Sequence, residues 1–499
     1  MFNLFAPHAT DAYKLGHRSQ YEQGTSLIYA NFTPRSMKHL AIPKEHTDGK
    51  LVWYGGYGAV KEIVELWQET FFEKPLGEII SKYVKRVPAF TGEEKPFVGH
   101  LEDLHAIGYL PMVFKELPEG SSLRPNIPTM TCYNTDPKAY WVTNYLETID
   151  SNEIWKSSTI ATIALAYRRI FEKFAIETGS PLDFVAWQGH CFADRGMAGM
   201  YDMAKAGSGH STSFYGSDSI SAFDYLSWAY RGDETFLGGS VPATEHSVMS
   251  LGGKDNELQT VKRIITKVHS SGIVSIVSDT WDFYHLITEI ARELKDDILA
   301  RTPNSLGIAK TVFRPDSGNP GDIICGDPTA EPGTPENKGA LQCLAEIFGS
   351  TTNSKGYKVL NERVGLIYGD SITIERAIEI LTRMKQAGWA SCNIVLGIGS
   401  FTYQMMTRDT LGWAMKATYG EVNGEARDMF KDPKTSLGSK TSAKGLLRVE
   451  LDSSGDYYLL DQQTWEQEAG GYLKTIYKDG TFSNQPSIAD IRDRIYWQR

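Results

Sequence analysis

The stretch VGLIYGDSITIERAIEILTRMKQAGWASCNIVLGIG, residues 364–399, decides the fold. It opens on a short apolar run, Val364–Tyr368, that stops at Gly369-Asp370, and it closes on a second run, Ile394–Leu396, that leads into Gly397 and Gly399. Between the two, Ile374, Ala377, Ile378, Leu381 and Met384 recur at helical spacing, with Gly388 placed to end the helix. Short apolar runs bounded by turn residues are how strands buried on both faces read. The stretch therefore predicts strand, helix, strand.

The same pattern repeats outward from it. Ile273–Val277 precedes Ser278-Asp279, Thr311–Phe313 precedes Arg314-Pro315-Asp316, and Phe184–Trp187 precedes Gly189-His190. Alternation of this kind predicts an α/β chain with parallel βα units, either a barrel or an open doubly wound sheet. In both, polar residues at strand C-termini are the site candidates. That gathers Asp279, Arg314, Asp316, Gly369, Asp370 and Gly399 at one mouth. The flanks read differently. Strand-like pieces (Ser26–Phe32, Leu51–Tyr54) and the helical Ala59–Phe71 share the first 150 residues, and Val142–Thr178 suits one or two long helices. Gly326–Gly356, rich in Pro, Gly, Thr and Asn, reads as a surface insertion, and Leu451–Tyr472 has strand and turn character.

Composition bounds the possibilities. The 499 residues carry 51 Lys+Arg against 61 Asp+Glu, a formal charge of −10, with 41% hydrophobic and 22% charged residues. These values exclude a disordered, collagenous or coiled-coil chain, and the acidic balance argues against a protein that coats nucleic acid or an anionic membrane. Five cysteines without a CxxC pair argue against a disulfide scaffold or structural zinc site. No run approaches the 18 apolar residues of a membrane span. A cytoplasmic, reducing-compartment enzyme is expected.

Common nucleotide and metallohydrolase signatures are absent: GxGxxG, GxxxxGK[ST], HExxH and GxSxG do not occur. The densest chemistry is Arg314-Pro-Asp-Ser-Gly-Asn-Pro320. Arg314 can clamp a carboxylate or phosphate, Asp316 can hold sugar hydroxyls or a cation, and Ser317-Gly318-Asn319 offers backbone N–H groups for an anion. His246, within Ser240-Val-Pro-Ala-Thr-Glu245-His246-Ser247, can be a base, a phosphate acceptor or a metal ligand. His190-Cys-Phe192-Ala-Asp-Arg195-Gly196 places an aromatic ring and a cation in one turn, suited to a flat heterocycle. Gly216-Ser-Asp218 is the weakest of these signals. Gly397-Ile-Gly399-Ser400 suits phosphate at a helix N-terminus, and Glu425–Arg448 holds six Lys/Arg against three acids.

Taken together, these segments resemble the nicotinamide phosphoribosyltransferase family, in the nicotinate/nicotinamide branch of the type II phosphoribosyltransferases. The resemblance also rests on Asp11-Ala-Tyr13-Lys14, Asn353-Ser-Lys-Gly-Tyr-Lys358, Thr407-Arg408-Asp409, Lys416 and Phe430-Lys-Asp-Pro433, in order along nearly the whole chain. It implies an irregular α/β barrel with a second, mixed α+β domain built from both chain ends. The regions would be 1–150, 151–420 and 421–499, the last packing with the first. It implies a homodimer with sites at the subunit interface, condensing nicotinamide with 5-phosphoribosyl-1-pyrophosphate to nicotinamide mononucleotide and pyrophosphate. Nucleic acid and membrane are not expected partners.

Carried over residue by residue, the resemblance puts Phe192 on one face of the pyridine ring and Tyr13 of a second subunit on the other. Asp218 would accept from the carboxamide and repel the carboxylate of nicotinate, so nicotinate phosphoribosyltransferase is the rival that this residue discriminates. Ser240 belongs to the same pocket. Arg195, Arg314 and Ser275 would surround pocket and phosphates, Asp316 and Asp370 the ribose hydroxyls beside Gly369, and Gly399 with Ser400 the 5′-phosphate. His246 would be phosphorylated by ATP, with Asp279 and Glu245 as orienting or metal-facing acids and Mg2+ as cofactor. Arg408, Lys416 and Lys431 would meet pyrophosphate and ATP. Cys191 stands where the family usually has an acid, and Ser400-Phe401 where it has further glycines. An inactive homologue serving as a signal or scaffold is the rival of another class; the intact His246, Asp279 and Asp316 argue against it.

Overall fold

The structure is a computed structural model, and it describes residues 4–369, 371–430 and 443–497. It divides into two compact units: Met1–Thr162 with Asp224–Phe236 and Met406–Arg499, and Ile163–Phe223 with Leu237–Met405. Among the described residues no helix is long and apolar enough to cross a membrane.

The first unit is built on a seven-stranded antiparallel sheet in the order Glu425–Asp428, Ala414–Val422, Thr25–Thr33, Met130–Asn134, Met112–Glu116, Lys474–Lys478, Thr481–Phe482. The central strands come from the beginning of the chain and the flanking ones from its end. The expected boundary at 420/421 therefore moves to 405/406, because Ala414–Val422 is hydrogen-bonded along Thr25–Thr33. Phe32 stacks on Trp413 at 4.9 Å and 9° across that pair. Farther out, Lys115 Nζ lies 2.5 Å from Glu468 Oε2, both buried, and Tyr29 donates to the other carboxylate oxygen at 3.3 Å. This pair fastens the helix Trp465–Ala469 to the sheet.

The short excursion 224–236 joins this unit through Tyr230. The helix Gly56–Trp67 starts after Gly55, at φ 98°, and has no side-chain cap of its own. Instead the buried Glu119 accepts from Gly55 N at 2.9 Å and Tyr57 N at 2.8 Å. Tyr230 donates to Glu119 at 3.3 Å and accepts from Gly58 N at 3.2 Å. Lys61 reaches the Trp228 carbonyl at 2.7 Å.

The second unit carries a six-stranded, wholly parallel sheet in the order Gly216–Ser217, Gly189–Phe192, Ile394–Gly399, Val364–Tyr368, Lys310–Arg314, Ile273–Val277. Its two edges are joined by residues 239–244: Gly239 bridges Gly216, and Ala243 bridges Ser275, both in parallel. Gly239 N donates to Tyr215 O at 2.9 Å, and Ser275 N donates to Pro242 O at 2.9 Å. One segment thus hydrogen-bonds to both edges, and the sheet is a curled half-barrel rather than a flat open sheet. With the antiparallel sheet and helices of the first unit, this is the expected fold class. The amphipathic helix is Ile374–Gln386, capped by Thr373 and ended with Gly388 at φ 77°.

Three expectations are corrected. Phe184–Trp187 is not a strand; Val185–Gln188 is one helical turn, and the strand is Gly189–Phe192. Gly326–Gly356 is not a loose insertion. Thr334 and Pro335 start a helical stretch, Pro335–Phe348, where Thr334 accepts from Asn337 N; Gly339, at φ 77°, breaks it, and Ala340, Leu341, Leu344 and Ile347 beyond the break are buried. The Leu51–Tyr54 strand shrinks to Leu51–Val52.

Burial pushes the Glu116 carboxyl well above its ordinary value of 4.5, with Glu119 reinforcing the rise, and burial pushes Glu119 up to about 7. A carboxyl raised on folding stabilises fully below its unfolded pKa, and that contribution is lost as pH rises through the folded one. The thermal midpoint of Glu116→Gln should therefore exceed that of the unmutated chain by a margin growing with pH above 4.5. Differential scanning calorimetry from pH 5 to 8 checks this; a margin independent of pH would refute it.

Candidate active site

The candidate residues of the second unit sit at or just beyond the C-terminal ends of the parallel strands, where barrel sites lie. Phe192, Arg314 and Gly399 end their strands; Asp218, Asp279, Asp316, Gly369 and Ser400 follow one or two residues later. Two clusters form there, one at each end of the closing segment 239–244.

The first cluster surrounds Asp218. Its Oδ1 accepts from Ser240 Oγ at 2.5 Å and lies 2.8 Å from His190 Nε2, while Asp218 N donates to Cys191 O at 3.1 Å. Burial alone would raise the Asp218 carboxyl; the His190 and Ser240 hydrogen bonds and the charges of His190 and Arg314 outweigh it, so its pKa is lowered. Ionised, Asp218 is a pure acceptor. The His190 ring is 4.6 Å from that of Phe192. Phe192 in turn needs Gly397, where a Cβ would approach its ring to 2.8 Å. Cys191, pushed up to about 12 by burial, stays a neutral thiol and has no nucleophilic role.

The second cluster surrounds His246, the first residue of the helix His246–Gly252. Its Nε2 is 3.8 Å from Asp279 Oδ1 and 3.6 Å from Asp316 Oδ2, and its Nδ1 is 3.1 Å from Thr280 Oγ1. Asp279 Oδ2 accepts from Asp316 N at 2.8 Å, Ser317 N at 2.7 Å and Ser317 Oγ at 2.6 Å. One carboxylate thus holds the 314–320 turn against the histidine. The Glu245 carboxylate is engaged instead by the Ser247 hydroxyl. Gly369 lies so close to Asp316 that a Cβ there would come within 2.2 Å of Oδ1.

Between the clusters, Arg314 Nη2 donates to Thr244 O at 2.6 Å, and its Nε is 3.9 Å from Asp316 Oδ1. The buried polar atoms without a hydrogen-bond partner among the described residues include three at this mouth: Ser275 Oγ, Asp279 Oδ1 and Arg314 Nε. Buried polar atoms are rarely left so, and a donor, an acceptor and a carboxylate oxygen together suit a polar, phosphate-bearing ligand. Arg195 is exposed, and Gly196 before the Ser400 hydroxyl leaves no room for a Cβ. Gly399 leads into a helix of only five residues, Ser400–Gln404.

Tyr13, Arg408 and Lys416 belong to the first unit. Tyr13 and Arg408 line one recess of about 530 Å³ there, with Asp11, Glu147 and Trp155; Lys416 is exposed on its strand. Asp370 and Lys431 lie outside the described residues. His190 went unremarked in the sequence as a site residue. Its signal was the His-x-Phe spacing, which puts both rings on one face of a strand.

A parallel half-barrel whose strand ends carry carboxylates, a histidine and an arginine is the frame of an α/β enzyme. The nicotinate phosphoribosyltransferase (NAPRTase) family profile matches residues 188–481, and the chain belongs to that family of pentosyl-transferring enzymes. It is 50% identical over 498 residues to the nicotinamide phosphoribosyltransferase of Acinetobacter baylyi, covering 100% of this chain and 98% of that one. It is 32% identical to that of Mycoplasma pneumoniae, over 88% of this chain and 96% of that one. The fold is similar to the crystal structure of nicotinate-nucleotide pyrophosphorylase from Pyrococcus furiosus, with TM-score 0.54 and 14% identity over 99% and 95% of the two chains.

Asp279→Asn keeps the side chain's shape but removes the charge that holds three donors of the 316–317 turn. Losing that charge-assisted bonding should lower kcat/KM by about ten- to a hundredfold, with the far-ultraviolet circular dichroism unchanged. Full activity in steady-state assays would show that the turn holds itself.

Proposed function

We propose that this chain condenses nicotinamide with 5-phosphoribosyl-1-pyrophosphate, yielding nicotinamide mononucleotide and pyrophosphate. The observation that carries the reading is the Asp218 carboxylate held by Ser240 Oγ and His190 Nε2, with the Phe192 ring 4.6 Å from that of His190. A carboxamide N–H donates to such an oxygen; a nicotinate carboxylate would meet like charge in a partly desolvated pocket. The nicotinamide phosphoribosyltransferases of Acinetobacter baylyi and Mycoplasma pneumoniae, to which the chain is similar, support the same substrate.

The chemistry follows from charge development. Pyrophosphate leaves C1 of the ribose while positive charge grows on the sugar, so carboxylates near the ring and cations near the leaving group lower the barrier. Asp316 and Gly369 suit the ribose, Arg195 and Arg314 the phosphates, and the Gly399–Ser400 amides the 5′-phosphate. Phe192 offers one stacking face, and Tyr13 of a second copy would offer the other in a homodimer. Mg2+, when bound, offsets phosphate charge. Asp279 and Asp316 fit it, since Asp279 Oδ1 is buried without a hydrogen-bond partner and Mg2+ is commonly held by one or two carboxylates plus substrate phosphates.

His246 is the proposed phosphoryl acceptor from ATP. Its exposed imidazole faces Asp279 and Asp316, which would stabilise the positive charge gained as a ring nitrogen bonds to phosphorus and ADP leaves. Incubation with ATP should give an acid-labile phosphate that His246→Ala lacks; equal labelling of that variant would remove the assignment.

The deciding assay offers nicotinamide, nicotinate and quinolinate side by side with 5-phosphoribosyl-1-pyrophosphate and identifies the products by mass. Nicotinamide mononucleotide should dominate, and Asp218→Asn should admit nicotinate. Preference of the unmutated enzyme for nicotinate would favour the rival reading.

A further inference from the structure

We propose that His190 is the positioning residue of substrate selection: it pins one oxygen of Asp218 so that the other becomes a single, directed acceptor for the carboxamide. This rests on the nicotinamide reading above. His190 Nε2 at 2.8 Å and Ser240 Oγ at 2.5 Å converge on Oδ1, and no hydrogen bond from a described residue reaches Oδ2. With both donors on the same oxygen, rotation of the carboxylate would break two bonds at once.

The packing around His190 leaves the ring little choice. It is buried on the strand Gly189–Phe192, which lies parallel to Gly216–Ser217 with His190 opposite Gly216. A Cβ on Gly216 would come within 2.9 Å of its Nδ1, so the ring occupies space that only glycine leaves. On its face it meets Phe192. Ring position thus ties the aromatic platform to the acceptor: one side chain sets both the plane of the heterocycle and the bond to its amide. Ser240 is exposed and can turn away; His190 cannot. A hydroxyl alone would leave Asp218 free to present either oxygen, or its protonated form, which could donate to a carboxylate substrate.

The test uses His190→Phe, which keeps ring and bulk without a donor, and His190→Gln, whose amide nitrogen falls near Nε2. The Phe variant should raise KM for nicotinamide by about tenfold or more, the loss of one hydrogen bond to a charged group. KM for 5-phosphoribosyl-1-pyrophosphate should stay within about twofold, and the nicotinamide-over-nicotinate ratio of kcat/KM should fall by about tenfold. The Gln variant should recover most of both. Equal impairment of Phe and Gln variants, a parallel rise in both KM values, or an unchanged ratio would overturn the proposal. Should the Phe variant not fold, the Gln variant compared with His190→Leu decides by the same ratio. A preference of the unmutated enzyme for nicotinate would defeat the substrate reading instead, and is seen before any variant is made.

Discussion

Parallel strands that do not close leave two rows of amide and carbonyl groups without partners, and a buried sheet cannot tolerate that. Here those rows belong to Gly216–Ser217 and Ile273–Val277, and residues 239–244 satisfy both. Thr244 spends every polar atom on this: its N donates to Ser275 O, its Oγ1 accepts from Val277 N, and its carbonyl accepts from Arg314. A segment tied at both ends has a fixed register. Ser240 must then emerge beside Asp218, and Glu245-His246 beside Asp279 and Asp316. Joining the two edges and assembling the site are the same event.

This also explains what could be read from the sequence. Ile273–Val277, Val364–Tyr368 and Ile394–Gly399 were legible because strands flanked on both sides are written in consecutive apolar residues. Their polar successors were legible for the same reason, since chemistry collects where such runs stop. The closing segment was not. Ser240-Val-Pro-Ala-Thr has no apolar run and contains a proline, which lacks an N–H; Pro242 serves through its carbonyl alone. Gly189–Phe192 was displaced by the more strand-like Phe184–Trp187, because a buried histidine paired to a carboxylate interrupts the pattern that marks a strand. The helical stretch Pro335–Phe348 was hidden by its Thr334-Pro335 start and the break at Gly339, which resemble a loop when the buried face beyond them is not counted.

Two sets of carboxylates, one buried and one at an exposed strand end, show how environment rather than residue type assigns a role. Glu116 and Glu119 lie together in the first unit, and burial drives both towards the neutral form even though Glu119 accepts two backbone bonds. Asp218 is also desolvated, but two side-chain donors and two positive charges reverse the outcome. The first arrangement stores a proton in a capping device. The second favours a negative charge at a mouth that also carries Asp279, Asp316 and Arg314. The formal charge of −10 describes neither, because it averages over a surface that takes no part in the chemistry.

The remaining question is why one carboxylate oxygen should be saturated while its twin is left open. An acceptor in a partly dry pocket gains most from a ligand that brings a donor and loses most from one that brings a charge of the same sign. If both oxygens were satisfied by the protein, nothing would distinguish an amide from an acid except size, which the two share. If neither were held, the carboxylate could turn or take up a proton and so accommodate either. On the proposed reading, the contacts of His190 and Ser240 to Oδ1 would fix orientation and ionisation together, and discrimination would then rest on Oδ2 alone. On this view the strand order carries the selectivity: Gly216–Ser217 can present Asp218 only because the neighbouring strand supplies His190 and Phe192 at alternate positions and the closing segment supplies Ser240 from the other side.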